Sequence, residues 1–311
     1  MSEQANDAPS GESSVPLTQP PLPAGWLSKY PWVTFLLPFL VFMVATSFEP
    51  TPQPKLESDE AQESSAAAEP PEPFFAEQST LLSPVINYSY YPHVYTAKVV
   101  LVLLTMAAVW PGYRTFQFRV SWLSVVVGVV GVVLWIALCH LRLEPKLIGP
   151  IDRFLGTLFS MLPGLEAGDN PTIGLMSMLG TGERSAFNPL EQMASNPLAA
   201  WSFLAVRFVG LALLVPVIEE FFLRGFMMRF VVHEKWWQVP LGTVNRTALI
   251  AGTAVPMLMH PGEMLASLIW FSMVTWLMLR TRSIWDCVVA HAVTNFLLGV
   301  YVVVFDQWQL M

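Results

Sequence analysis

Residues 213–230 read LLVPVIEEFFLRGFMMRF, an apolar run broken by Glu219, Glu220 and Arg224. An ionised carboxylate in hydrocarbon is costly unless it is paired or hydrated, so adjacent glutamates there point to a functional site. On a helix, Glu220 and Arg224 stand four apart on one face, where an acid N-terminal to an arginine pairs well. Glu219 is turned by about 100° from Glu220 and can face a different cavity. The arginine then neutralises one carboxylate and leaves the other as a base. Two histidines in separate apolar runs join this set. His260 closes ALIAGTAVPMLMH, and His291 stands four residues before Asn295 in CVVAHAVTNFLLG, which puts the two side by side on one helix face.

These residue types suit hydrolysis. A carboxylate or imidazole can take a proton from water, and an imidazolium and an amide NH2 can donate to an oxyanion. Two histidines with a glutamate could instead hold a divalent metal such as zinc, and the spacing leaves the choice between a metal and none open. The chain contains no HExxH and no GxSxG, the local signatures of a zinc protease helix and a serine nucleophile elbow. The bland alternatives are an interfacial glutamate pair beside the kinking Pro216 and histidines that only pack a core. A glutamate pair, an arginine, an asparagine and two histidines in separate helices weigh against them. Arg207, inside WSFLAVRFVGLALLV, reads as a side chain that snorkels to the interface, with an anionic lipid or a substrate carboxylate as the alternative. His93, His140 and His233 fall in loops or at helix ends and read as solvated or interfacial.

The elements that must position this set belong to a membrane. The chain is 54% hydrophobic and 13% charged, with a mean hydropathy of +0.50, too apolar for a soluble domain with a charged surface. The net charge of −7 is uneven, because residues 1–92 hold 11 of the 23 acidic residues and 2 of the 16 basic ones. No basic stripe points to nucleic acid. Cys139 and Cys287 lie in apolar runs and form neither a CxxC nor a disulfide framework.

The fold predicted is all-α and polytopic, with about eight transmembrane helices. Residues 1–28 form a Pro/Ser-rich tail expected to be disordered, and 29–48 hold the first membrane helix, an uncleaved signal anchor kinked at Pro38. An acidic Pro/Glu-rich loop over 49–92 follows. Residues 93–139 hold two membrane helices, 140–197 a polar loop with interfacial helices, and 198–311 the catalytic membrane domain. Within that domain, 198–216, 217–232, 247–260, 264–279 and 284–305 read as separate segments. If all eight cross, basic residues in the connectors favour an external N-terminus, and every later orientation reverses if one of the short segments fails to cross.

At Glu219–Arg224, His260 and His291–Asn295 the sequence resembles the CPBP or CAAX protease/Abi family, which includes type II CAAX prenyl endopeptidases. The motif EExxxR is met by Glu219, Glu220 and Arg224, and HxxxN by His291 and Asn295. FxxxH is met only in His260, with Pro256 where the family has Phe. The resemblance covers about 198–305. It implies an intramembrane endopeptidase in which Glu219 and His260 activate water, His291 and Asn295 stabilise the oxyanion, and Glu220 with Arg224 forms a supporting ion pair. The implied partners are a membrane-embedded or membrane-tethered peptide substrate and the lipid bilayer. The PWVTFLLPF opening and the long acidic loop are similar to CAAX-protease-related proteins found beside exosortase and PEP-CTERM sorting systems. That subgroup implies a bacterial inner-membrane location. A non-catalytic scaffold or immunity protein of the same fold is the competing class. An ion-coupled transporter is the third, and the lack of an inverted repeat counts against it.

Overall fold

The computed structural model describes residues 25–50, 86–161, 172–175 and 186–310. The tail over 1–24, most of the acidic loop (51–85) and much of the polar loop (162–171 and 176–185) lie outside the described residues. Eight helical elements carry the architecture: α1 Val33–Thr46, α2 Tyr91–Tyr113, α3 Trp122–Leu141, α4 Leu143–Ser160, α5 Pro197–Val232, α6 Arg246–Met259, α7 Met264–Thr281 and α8 Ile284–Phe305. Among the described residues there is no strand. Five helical stretches are long and apolar enough to cross a membrane, namely Tyr88–Tyr113, Trp122–Ser160, Pro197–Val232, Pro261–Thr281 and Ile284–Phe305. α1 and α6 are apolar but shorter. The protein is an all-α polytopic membrane protein.

Two boundaries differ from the sequence reading. Residues 198–216 and 217–232, read as two segments, form the single element α5. Pro216 sits near the start of its own α-helical turn, and two π-helical stretches, Gly210–Leu214 and Phe221–Met227, keep the backbone winding on either side. The helix at 122 runs on past residue 140. Arg142 then adopts a left-handed conformation (φ 45°, ψ 52°), which ends α3 and redirects the chain into α4. α4 is amphipathic. It exposes Leu147, Ile151, Phe154 and Leu158 along one side, buries Glu144, Ile148 and Asp152 on the other, and is suited to lie along a lipid surface.

The helix ends fall into two faces. At face A, the Nε1 of Trp285 donates to Phe116 O (3.1 Å), Ser283 Oγ donates to Arg119 O (2.7 Å), and the Trp236 ring stands edge-on to Phe35 with centroids 5.0 Å apart. Arg229 fixes the connector after α5 by donating to the carbonyls of Val239 (2.7 Å) and Trp237 (2.9 Å). At face B, Lys98 of α2 pairs with Glu49 beyond α1, Leu265 N donates to Glu144 (3.0 Å), and His140 meets Tyr301 at 2.8 Å. α6 has 14 residues. It therefore rises about 21 Å, less than a hydrocarbon thickness of about 30 Å.

Small residues allow the bundle to close. α3 and α8 touch through Gly128, where an added Cβ would stand 2.7 Å from Ala290 O, and Thr294 Oγ1 donates to Gly128 O at 2.9 Å. At Gly252 a Cβ would come within 2.6 Å of Met228 Sδ, so α6 lies close against α5. One buried core, around Leu223, Phe271, Val274, Leu277, Cys287 and Ala290, joins α5, α7 and α8.

Candidate active site

Glu219 and Glu220 lie in the short α-helical turn of α5 between its two π-helical stretches, and both are buried. Their side chains diverge. Glu220 and Arg224, each with no exposed surface, form an ion pair in which Arg224 Nη1 is 3.1 Å from Glu220 Oε2 and donates to Oε1 at 3.2 Å. Arg224 Nη2 donates to Phe271 O (3.2 Å) and Thr275 Oγ1 (3.5 Å), and the guanidinium lies 5.3 Å from the Phe271 ring centroid. These contacts tie α5 to α7. A buried charge of either sign here is tolerable because each has its counter-charge and further hydrogen bonds.

His291 reaches α5 from α8. Its Nδ1 is 3.1 Å from Glu220 Oε1, so the ion-paired carboxylate accepts the Nδ1 proton. Its Nε2 is 4.0 Å from Glu219 Oε2. That gap is too long for a direct hydrogen bond and leaves room for a third group to contact both. Trp270 and Phe271 stand edge-on to the imidazole, with ring centroids 5.9 and 6.2 Å away, and hold its plane.

His260 ends α6. Its Nδ1 is 2.8 Å from Pro256 O, which leaves Nε2 as the ring nitrogen able to meet another group. Pro256 replaces the Phe of the FxxxH pattern, yet the atom that orients His260 is a backbone carbonyl, which any residue supplies. Trp135 and Phe271 flank the ring at centroid distances of 5.9 and 5.6 Å.

Asn295 owes its position to a π-helical stretch. There Val215 N–H donates to Gly210 O, five residues back. The next donor in that frame would be residue 216, a proline without an N–H. Leu211 O is left over and accepts from Asn295 Nδ2 at 2.9 Å.

Glu219, His260, His291 and Asn295 line one cavity of about 200 Å³, together with Trp135, Leu211, Val215, Glu263, Trp270, Phe271, Leu298 and Leu310. Glu220 and Arg224 stand behind it. Sequence reasoning missed the aromatic walls Trp135, Trp270 and Phe271, and it missed Glu263. Glu263 lies three residues after His260 in HPGE, and that short polar turn between two apolar runs was the available signal. Arg207, read as snorkelling, is instead buried, donates to Phe187 O at 2.7 Å and stands 6.0 Å from the Tyr91 and Trp308 ring centroids.

Among the described residues, no group of three or more His, Cys, Asp or Glu side chains converges as a metal site. In this arrangement the donor set does not fit zinc, and no step below passes through a metal.

In comparison with known families, residues 201–297 fit the family described as Type II CAAX prenyl endopeptidase Rce1-like. No curated protein and no solved structure gives a significant match. The matched span runs from the first third of α5 into α8 and holds Glu219, Glu220, Arg224, His260, His291 and Asn295. Residues 201–297 are a CAAX protease family domain within a polytopic membrane protein.

Proposed function

We propose that this protein is an intramembrane endopeptidase that hydrolyses a peptide bond of a membrane-embedded or membrane-tethered substrate with a water activated by Glu219 and His260. The observation that carries this reading is the convergence of Glu219, His260, His291 and Asn295 on one cavity while the Glu220–Arg224 pair stays outside it. A water contacting Glu219 gives a proton to the carboxylate as its oxygen attacks the scissile carbonyl carbon, with His260 orienting the water through Nε2. The tetrahedral oxyanion takes hydrogen bonds from Nε2–H of His291, in its imidazolium form with Nδ1–H held by Glu220, and from the second N–H of Asn295. Collapse breaks the C–N bond, and the proton held by Glu219 passes to the departing amine. Glu220 fixes the His291 ring through Nδ1, and Arg224 keeps Glu220 ionic and in place.

The apolar walls of Leu211, Val215, Leu298 and Leu310 suit a lipid-facing peptide segment. The bacterial inner membrane is the setting, with an exosortase sorting system as the associated machinery that the opening of the chain and its acidic loop suggest. The test is co-expression of tagged membrane proteins with wild type or with Glu219→Ala, read by product size and new terminus. A defined fragment made by wild type and lost in a well-expressed variant supports proteolysis. An identical pattern in both removes Glu219 as the base and favours a non-catalytic scaffold.

A further inference from the structure

We infer that the cavity receives its substrate from the non-cytoplasmic side of the membrane, so that its substrates are proteins anchored with the cleavable segment outside the cytoplasm. The word substrate rests on the hydrolytic reading above; the orientation does not.

The cavity is closed toward face A. Beyond Glu219 and His291 in that direction, Phe221, Leu223, Arg224 and Cys287 have no exposed surface. Phe35, Tyr113, Trp236, Ile284 and Trp285 complete the seal there. The remaining wall lies toward face B, with Leu211 and Val215 near the middle of α5, Leu298 in the second half of α8, Glu263 in the turn between α6 and α7, and Leu310 after α8. Among the described residues, the way left open for a peptide to reach Glu219 is from face B or from the lipid beside it.

The faces differ in charge. The short connectors and helix ends of face A expose Lys29, Arg114, Arg119, Lys235, Arg246, Arg280 and Arg282 against a single exposed acid, Glu234. The described residues of face B, buried ones included, carry Lys98, Arg142, Lys146, Arg153 and Arg207 against Glu49, Glu144, Asp152, Glu191, Glu263 and Asp306, while buried groups add Arg229 and Asp286 to face A. The sequence over 51–85 and 162–185, which joins face B ends, adds Lys55 and Arg184 and ten acidic residues, seven in the first stretch and three in the second. Lysine and arginine close to membrane helices are retained on the cytoplasmic side. The anionic cytoplasmic leaflet also attracts a basic face and disfavours an acidic one. Face A is then cytoplasmic. This reverses the external N-terminal side expected from eight crossings, because dividing α5 into two crossings inverted every connector after it.

The test uses the full chain with Cys139→Ser and Cys287→Ala, carrying either Gln117→Cys at face A or Ser195→Cys at face B, both exposed positions. A membrane-impermeant maleimide is applied to intact bacterial cells. The expected result is labelling of Ser195→Cys in intact cells and of Gln117→Cys only after lysis. The reverse pattern, or equal labelling of both in intact cells, overturns the inference. Should the cysteine-free background fold poorly, alkaline phosphatase fused after Met311 of the native chain gives the second readout. Enzyme activity is expected there, and a silent phosphatase with a fluorescent green fluorescent protein at the same point overturns it. A single-span reporter presented in both orientations then tests the substrate: cleavage of the externally exposed segment alone is expected, and cleavage of the cytoplasmic one overturns the claim. No cleavage in either orientation, with labelling as expected, counts against proteolysis and not against the orientation.

Discussion

His291 and Glu220 meet at 3.1 Å, Nδ1 to Oε1, although 71 residues separate them. The contact decides which imidazole nitrogen faces the cavity, because the carboxylate behind the ring takes the Nδ1 proton and Nε2 is left 4.0 Å from Glu219 Oε2. The two adjacent glutamates thus have different tasks set by their direction on α5. One holds a histidine and an arginine, and the other faces open space.

Glu219→Gln keeps the shape of the side chain and removes its ability to take a proton. Cleavage is expected to fall by about 10²–10⁴-fold, the usual contribution of a general base. Membrane insertion and detergent melting should match wild type, measured by circular dichroism on purified protein. A variant that melts normally and cleaves at the wild-type rate contradicts the assignment.

Arg224→Met leaves Glu220 buried without its counter-charge, and a stability loss of about 3–5 kcal/mol follows from breaking such a pair. The double variant Glu220→Gln/Arg224→Met removes both charges and should recover much of the melting temperature. It should not recover cleavage, because an amide at 220 no longer accepts the Nδ1 proton as a carboxylate does. Thermal melting and turnover measured on the same three proteins separate the two effects.

Pro216→Ala restores an N–H that competes with Asn295 for Leu211 O. The expected outcome is an unchanged or slightly higher melting temperature with turnover lowered by up to about 10²-fold, the scale of a lost oxyanion donor. Full turnover in Pro216→Ala shows that the leftover carbonyl does not position Asn295.

Gly128→Leu forces a side chain between α3 and α8, where even a Cβ would stand 2.7 Å from Ala290 O. Overpacking of this kind costs about 1–3 kcal/mol. It should lower the melting temperature and weaken cleavage as well, since Ala290 directly precedes His291. Gly128→Ser, which is smaller, should be milder in both.

Much of the site was legible because its signals are local or chemically loud. A Glu-Glu-x-x-x-Arg run in lipid-like sequence announces itself, and the four-residue spacing of Glu220 and Arg224 survives in the 3.1 Å ion pair although the backbone turns π-helical at Phe221. Less legible was everything that depends on backbone winding. The division of α5 at Pro216 failed because proline in a helix interior usually breaks it, whereas here π-helical turns accommodate it. Trp135, Trp270 and Phe271 went unmarked, since nothing local distinguishes a ring that will pack against a histidine from another helix. Arg207 was read by the usual habit of a long cation in an apolar run, and only the tertiary position of Phe187 O shows where one of its N–H groups is satisfied.

The most direct measurement uses purified wild type and Glu219→Gln, matched in melting temperature and reconstituted in lipid with a library of single-span peptides in water enriched in oxygen-18. The account predicts wild-type products whose new C-terminal carboxylate carries the heavy oxygen in the first turnover, and about 10²–10⁴-fold less product from Glu219→Gln. Equal product from both proteins would contradict it.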